Sequence, residues 1–477
     1  MKAAQKSGPS KAERLYLQGR AHHKAGDLEL AEAAYKEVLR LIPTQPDALH
    51  MLGVAAFQQD RFVEAERLLA AAIRRIPKPS LAYYNYGNAL RKLGRFEDAL
   101  HAFTKAFELD PSNITCLEQL GNIYKELNQF SKAHEYYDQL LALDPRNAVG
   151  RSNKAIALLT EGRLAEAWEL YESRLDQQLG NSHRMLENLP RLAPDWDGHI
   201  PSKPLLVLPE QGLGDQIFYG GMLADLESTG IECLVCIEER LIELFRRSFP
   251  RLMFATPTQL TGFNERETLF GAQITMASLG RWLRKSEQDL KKIRSPFLHC
   301  DKSRATTLRR QLKKPNRLLV GLSWQSLRTE HGANKSCSLS QLLPALKSEN
   351  IDFIDLQYGD TTEERTQLKA AEGIDIQRLE TIDNKLDIDG LAALIDACDV
   401  VLTVSNTTAH LSAALGKPTL VLLPWHTPLW YWHLNSMNSR WYPSAVLLRQ
   451  ITAGDWRDPV TRAAKIIQGL AHECVQH

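Results

Sequence analysis

Pro43, Pro77, Pro111 and Pro145 recur at a constant step of 34 residues, and Gly19, Gly53, Gly87 and Gly121 keep the same step, with Ala155 next in register. Three further columns agree: the alanines 31, 65, 99, 133 and 167; the turn formers Gly26, Asp60, Gly94, Asn128 and Gly162; and the large residues Tyr35, Leu69, Phe103, Tyr137 and Tyr171. A unit of this length cannot bury an apolar face alone, so a fixed period commits the first third of the chain to a stack of like units. Within each unit the small residues predict two helices that approach closely, and the large residue is expected to fill the gap between units. The proline stops the second helix.

A small residue in the first helix, a turn residue about seven later, a small residue in the second helix and a closing proline make the tetratricopeptide pattern. About five helix pairs are expected from Ala12 to Leu179, wound as a right-handed superhelix with a concave groove that holds a protein or peptide. Two residues before each small position stand Leu17, Met51, Asn85, Gln119 and Asn153. The three amides, with Asn88 and Asn122 beside them, would line the groove as a ladder that bonds the backbone of an extended peptide. The row resembles the asparagine ladder in the repeats of O-linked N-acetylglucosamine transferases. Its plain alternative is a set of ordinary surface amides.

At 477 residues the chain has room for about three domains. Hydrophobic residues at 44% and charged residues at 24% give a globular composition, and a net charge of +1 offers no long-range attraction to nucleic acid or an anionic membrane. The opening stretch is polar and basic, read as a disordered tail over 1–11, and no run of about 18 apolar residues is found, so no membrane span is expected. Seven cysteines point to a reducing cytoplasm. Cys233 and Cys236 form a CxxC inside an apolar strand-like run, which reads as buried thiols, and no metal site is expected.

Prolines and glycines over 181–203 mark a connector, in which Trp196-Asp197-Gly198 is read as a plug at the joint. From Pro204 strand-like and helix-like segments alternate, the signature of doubly wound sheets. One set is expected over 204–310: strand 204–208, helix 215–227, strand 231–237, helix 239–248, strand 251–255, and a stretch from Ala272 to Leu283 that contains helical elements. A charged passage, Lys285 to Pro315, separates it from a second set over 311–477, with strands at 317–322, 351–356, near Ile376, at 399–404 and at 418–423. Two such domains facing each other bring strand C-termini to one cleft.

The polar residues gather at those ends. After the first strand comes Glu210-Gln211-Gly212-Leu213-Gly214-Asp215. Gly212 and Gly214 let backbone N–H groups approach a ligand at a helix start, and Asp215 sits in the first turn, as a reacting acid or as a capping one. Ser405, Asn406, Thr407, Thr408 and His410 open a later helix whose hydroxyls and free N–H groups suit a phosphate; His410 reaches that phosphate or packs in the core. Ser323 and Trp324 end a strand and are expected among the donor-binding residues, followed by a loop with Arg328 and Lys335, cations able to neutralise phosphate. Trp425, Trp430, Tyr431, Trp432, Trp441 and Tyr442 lie within 18 residues and serve as core or as stacking faces for sugars and bases.

The Glu210–Asp215 turn, the Ser323-Trp324 strand end, Lys335-Ser336, Ser405 to His410, Ala414-Leu415-Gly416-Lys417-Pro418 and Trp441-Tyr442-Pro443 with Leu448-Arg449-Gln450 occur in one order. That order resembles bacterial tetratricopeptide proteins in which repeats precede a heptosyltransferase-like, family 9-like GT-B glycosyltransferase domain. The resemblance implies two Rossmann-like domains facing a cleft and a nucleotide-sugar co-substrate with neither cofactor nor metal. It implies inversion at the anomeric carbon, Asp215 as the catalytic acid of the family, and donor-phosphate positions at Lys335, Thr407, Thr408 and His410. Some repeat-bearing relatives modify proteins such as flagellin. Many relatives carry an acid where Asn406 stands, an arginine-tyrosine pair at Gly221-Met222 and an arginine at Tyr431. Those departures keep two alternatives open: a non-catalytic adaptor with a degenerate GT-B module, and a transferase acting on a glycan or lipopolysaccharide precursor.

Overall fold

The computed structural model describes residues 9–176, 189–210, 212–262, 269–326, 335–425, 429–434 and 436–476. The chain divides into two compact units after Ala157. The first is helical: α1 (Lys11–Ala25), α2 (Leu28–Leu41), α3 (Pro46–Gln58), α4 (Phe62–Ile73), α5 (Ser80–Lys92), α6 (Phe96–Leu109), α7 (Ile114–Glu126), α8 (Phe130–Leu143) and the start of α9 (Ala148–Glu161). A capping box starts α1 at Lys11: Ser10 Oγ accepts from the Glu13 N–H at 3.1 Å and the Glu13 carboxylate accepts from the Ser10 N–H at 2.7 Å. Helix therefore overlaps the end of the expected 1–11 tail, of which residues 1–8 lie outside the described residues.

The periodic turn formers all take left-handed backbone, with φ of +85° at Gly26, +58° at Asp60, +74° at Gly94, +60° at Asn128 and +86° at Gly162. Glycine, asparagine and aspartate hold that conformation at least cost, which is why the column admits only those types. The glycine column has a different reason. A Cβ on Gly19, Gly53, Gly87 or Gly121 would come within 2.6, 2.8, 2.8 and 2.5 Å of Tyr35, Leu69, Phe103 and Tyr137. Each large residue thus packs into the glycine of its own helix pair, and this corrects the expectation that it fills the gap between pairs.

The second unit runs from Leu158, ahead of the expected boundary at 180. Its helix α10 (Leu164–Tyr171) packs on the short helix Gly280–Leu283 and leads into a 3₁₀ turn, Glu172–Leu175. Two sheets follow, and every strand pair in both is parallel. One has the order β3-β2-β1-β4, with β1 Leu205–Leu208, β2 Cys233–Cys236, β3 Met253–Ala255 and β4 Ala272–Thr275. The other has the order β10-β9-β8-β5-β6-β7, with β5 Leu318–Ser323, β6 Ile351–Asp355, β7 Ile376–Gln377, β8 Val400–Val404, β9 Thr419–Leu423 and β10 Ala445–Arg449. Strands buried on both faces explain the short continuous apolar runs.

The structure departs from the sequence expectations in four places. The stretch 272–283 holds helical elements at Ala277–Leu279 and Gly280–Leu283, but its first four residues form β4, too short to separate by pattern from the helices after it. β10 was not expected at all. The helix expected over 215–227 breaks into Leu213–Gly220 and Leu223–Ser228, since Gly220 and Gly221 leave room for Phe245 and Phe297. The charged separator contains the helix Lys302–Leu312, which packs on Ile388–Ala397 and pairs Lys302 with Asp396 at 3.0 Å, Arg304 with Asp387 at 2.6 Å and Arg309 with Asp399 at 2.7 Å. Its charge is matched by acids beneath it, so it belongs with the second sheet and the boundary at 310 moves back. Of the connector, residues 181–188 lie outside the described residues; in the remainder the Trp196 N–H donates to the Gln273 carbonyl of β4 at 2.8 Å and the Trp196 indole packs beside Trp282.

Candidate functional site

β1 ends at Leu208, and four residues later Gly212 caps the helix Leu213–Gly220, with Asp215 its third residue. Across from it β8 ends at Val404, and Asn406 caps the helix Thr407–Ala414 by accepting from the Ala409 N–H at 3.3 Å. These two helices pack together: a Cβ on Gly214 would stand 3.2 Å from His410 Cδ2 and 3.6 Å from Thr407 Oγ1. Between their starts lies a cavity of about 350 Å³ lined by Gly212, Leu213, Gly214, Asp215, Ser326, Lys335, Tyr358, Ser405, Asn406, Thr407, His410, Leu429 and Tyr431. Helix N-termini concentrate unbonded N–H groups and positive potential, and here the lysine adds to that potential while the carboxylate opposes it.

Eight of the expected site residues meet at this cavity: Gly212, Gly214, Asp215, Lys335, Ser405, Asn406, Thr407 and His410. The Asp215 carboxylate folds back over Gly212, where an added Cβ would come within 2.7 Å of Oδ2. It therefore occupies the position of a capping acid while facing the cavity. His410 is 3% exposed, shares a 3.0 Å hydrogen bond with the Tyr442 hydroxyl through Nδ1 and stacks on Trp432 at 5.0 Å. Burial, with the Lys335 charge, pushes its pKa down to about 3. A neutral imidazole in the cavity wall results, part of the core and part of the site. Burial and the Asp215 charge together hold the Tyr442 hydroxyl well above its ordinary value.

Ser323, Trp324 and Thr408 are fully buried and lie outside the lining, which corrects their expected donor contacts. The Gln357 side-chain oxygen gathers the Ser323 hydroxyl at 3.0 Å and the Trp324 and Gln325 N–H groups at 3.0 and 2.9 Å, while the Trp324 indole donates to Glu364 at 2.8 Å. The Asn406 amide donates to Ser323 Oγ at 2.8 Å, so these residues tie the β5 end to the β8 end beneath the cavity. Arg328 lies outside the described residues. The aromatic run resolves mostly into core: Trp430, Trp432, Trp441 and Tyr442 are buried and Tyr431 alone of the run reaches the lining, 4.4 Å from Phe218. Leu213, Ser326, Tyr358 and Leu429 were missed. Tyr358 follows the C-terminal end of β6, a position that the rule for parallel sheets points to.

In the helical unit the amides have partners of their own. Asn85 bonds His50 at 2.8 Å, Gln119 accepts from Arg91 at 3.4 Å and donates to Glu118 at 3.3 Å, and Asn122 accepts the Tyr137 hydroxyl at 2.8 Å. Gln119 and Asn122 are buried, whereas Asn88 and Asn153 are half-exposed. Among the described residues no group of three or more His, Cys, Asp or Glu is arranged to hold a metal, and no helix is long and apolar enough to cross a membrane. The CxxC thiols, Cys233 and Cys236, are buried, and burial pushes each up to about 12.

The class of the helical unit is settled by these observations together with family comparison. Tetratricopeptide-repeat family models match residues 22–85, 79–146 and 119–179, and the chain carries tetratricopeptide repeats. Among individual proteins the chain is similar to protein FlbA of Caulobacter vibrioides, 32% identical over 338 residues. That similarity takes in 67% of this chain but 54% of FlbA, so the chain spans about half the length of this relative. Solved structures with some likeness include MamA, at 23% identity and a TM-score of 0.31 over 34% of this chain and 94% of MamA. YrrB, a TPR protein with an unusual peptide-binding site, is 20% identical with a TM-score of 0.32 over 36% of this chain and 88% of its own.

Proposed function

We propose that the α/β unit is a glycosyltransferase of GT-B type that uses a nucleotide-sugar without a bound metal and inverts the anomeric centre, and that its acceptor is a protein hydroxyl held by the repeats. One observation carries this reading: an acid at one helix start faces a lysine and a hydroxyl-bearing helix start across a single cavity at the strand C-termini. In the proposed reaction an acceptor oxygen attacks the anomeric carbon, its proton passes to the Asp215 carboxylate, and the bond to the phosphate oxygen breaks with its electron pair. Charge then grows on the departing phosphate, where Lys335, Thr407 and the free N–H groups of the 407–414 helix would stabilise it. A carboxylate suffices as base because the attacking hydroxyl becomes acidic late in bond formation. A flagellin-like acceptor fits the same scheme.

The adaptor reading has its own support. Where many relatives carry cations, Gly221 here lies against Phe297, Met222 is buried and Tyr431 packs among aromatic rings. Calorimetric titration of the full chain in EDTA with UDP, GDP, ADP, dTDP, CDP and CMP separates the two readings. Selective binding of one nucleotide, weakened in Lys335→Ala, upholds the donor site; no binding across the panel leaves the repeats as the working part.

A further inference from the structure

The end of the last repeat, α10 and the 3₁₀ turn after it, contacts the sheets next to Asp215. Arg174, in the 3₁₀ turn after α10, is buried, and its Nη2 donates to Glu210 Oε1 at 3.1 Å, to Thr275 Oγ1 at 2.7 Å and to Ser278 Oγ at 3.0 Å. Its Nη1 donates to Glu172 at 2.9 Å, and its guanidinium lies 4.6 Å above the Tyr171 ring. Glu210 is the pivot of the turn that leads to Asp215. The same Oε1 accepts the Ala277 N–H at 3.0 Å, and the Glu210 carbonyl accepts the Gln216 side-chain amide at 2.7 Å. One turn beyond Asp215 on the same helix face, Tyr219 shares a 2.9 Å hydrogen bond with the Tyr171 hydroxyl. Two separate bonds from 171–174 therefore hold the two ends of the segment that presents Asp215.

A buried ion pair adds little to net stability, because desolvating both charges offsets their attraction, and its best-attested use is to select one arrangement over others. A five-donor guanidinium that joins the β1 end, the β4 end and its own turn is suited to that use. We infer that Arg174 and Tyr171 are positioning residues that hold Glu210 and the helix Leu213–Gly220, and with them the Asp215 carboxylate, in register with the cavity. This inference rests on the reading of Asp215 as the base. The end of the last repeat is then a working part of the site.

The test uses the full chain as wild type, as Arg174→Lys, and as the double variant Tyr171→Phe/Tyr219→Phe. Lysine keeps the charge but has one nitrogen in place of the two Nη atoms, so it cannot replace both the Nη1 bond to Glu172 and the three Nη2 bonds to Glu210, Thr275 and Ser278; the double variant removes both hydroxyls while keeping the rings, so neither is left unpaired. Amide hydrogen exchange over 209–217 should quicken at least tenfold in each variant, with exchange in β5 to β10 unchanged. The transfer rate at saturation should fall at least tenfold while nucleotide affinity stays within twofold. Wild-type exchange and rate in both variants would overturn the inference. If Arg174→Lys does not fold, the double variant decides alone. If the wild type binds nucleotide but transfers nothing, the base assignment falls, and exchange still decides whether the brace holds the turn.

Discussion

Gly212→Ala moves the proposed base without removing it. The backbone there, at φ −102° and ψ 148°, is open to alanine, so no strain arises from the chain itself. The new Cβ would stand 2.7 Å from Asp215 Oδ2 and 3.6 Å from its Cγ, with the Asp215 backbone nitrogen next at 4.0 Å. Carbon and oxygen not bonded to each other settle near 3.3 Å, so the carboxylate must give way by roughly 0.6 Å, and nothing else is displaced. If a 1 Å misplacement costs about a hundredfold, the shift costs roughly 1.6 kcal/mol in the barrier, or about 15-fold in rate. Replacing a glycine cap by alanine costs roughly 0.5–1 kcal/mol, and the stiffer unfolded chain returns about as much, so the melting temperature should stay within about 2 °C. Transfer is measured at saturating nucleotide-sugar beside nucleotide titration. A wild-type rate would refute the role of Asp215, and a parallel loss of nucleotide affinity would refute the claim that only the carboxylate moves.

Burial holds His410 and His433 down to about 3, so below the ordinary histidine value of about 6.5 the unfolded chain binds protons that the native state refuses. Stability of the α/β unit should thus fall as pH drops from about 6.5 towards 3, by about 1.4 kcal/mol per pH unit for each histidine; urea melts at several pH values read the slope, which His433→Gln should roughly halve. Gly121→Ala drives a Cβ to 2.5 Å from Tyr137 Cε1 and should destabilise the repeats by about 1–3 kcal/mol; a urea midpoint equal to wild type would show that the helix pair adjusts freely. Because Asn122 bonds the buried Tyr137 hydroxyl, Asn122→Ala should cost about 1–3 kcal/mol of stability, whereas Asn88→Ala/Asn153→Ala should leave the melt alone and weaken titration with an acceptor peptide. Acceptor affinity unchanged in that pair would dismiss the amide row as a peptide-binding device.

The repeats were legible because the fate of each periodic residue is decided within 34 positions: a turn former bends its own turn, and a glycine admits the large residue of its own pair. What the period left open was which gap the large residue fills. The site was legible in part for another reason. Parallel strands deliver their C-termini to one edge, so polar residues placed just after apolar runs, Asp215 and Thr407 among them, converge without any long-range information. Ser323 and Trp324 follow a strand in the same way, yet the Gln357 side chain takes their polar groups inward, and nothing local to 323 and 324 foretold that partner.

By itself, then, the sequence determined the repeat and the strand ends, after β1 and β8, from which a cavity is lined. Tertiary structure alone decided which polar groups face the cavity and which are spent tying one strand end to another, and that His410 stays neutral inside an aromatic wall. It also decided that the end of the last repeat contacts Glu210 and the helix that carries Asp215. The reason is physical: periodicity reports which face of an element is apolar, while the ionisation, orientation and bonding of a buried polar side chain depend on partners brought from far along the chain.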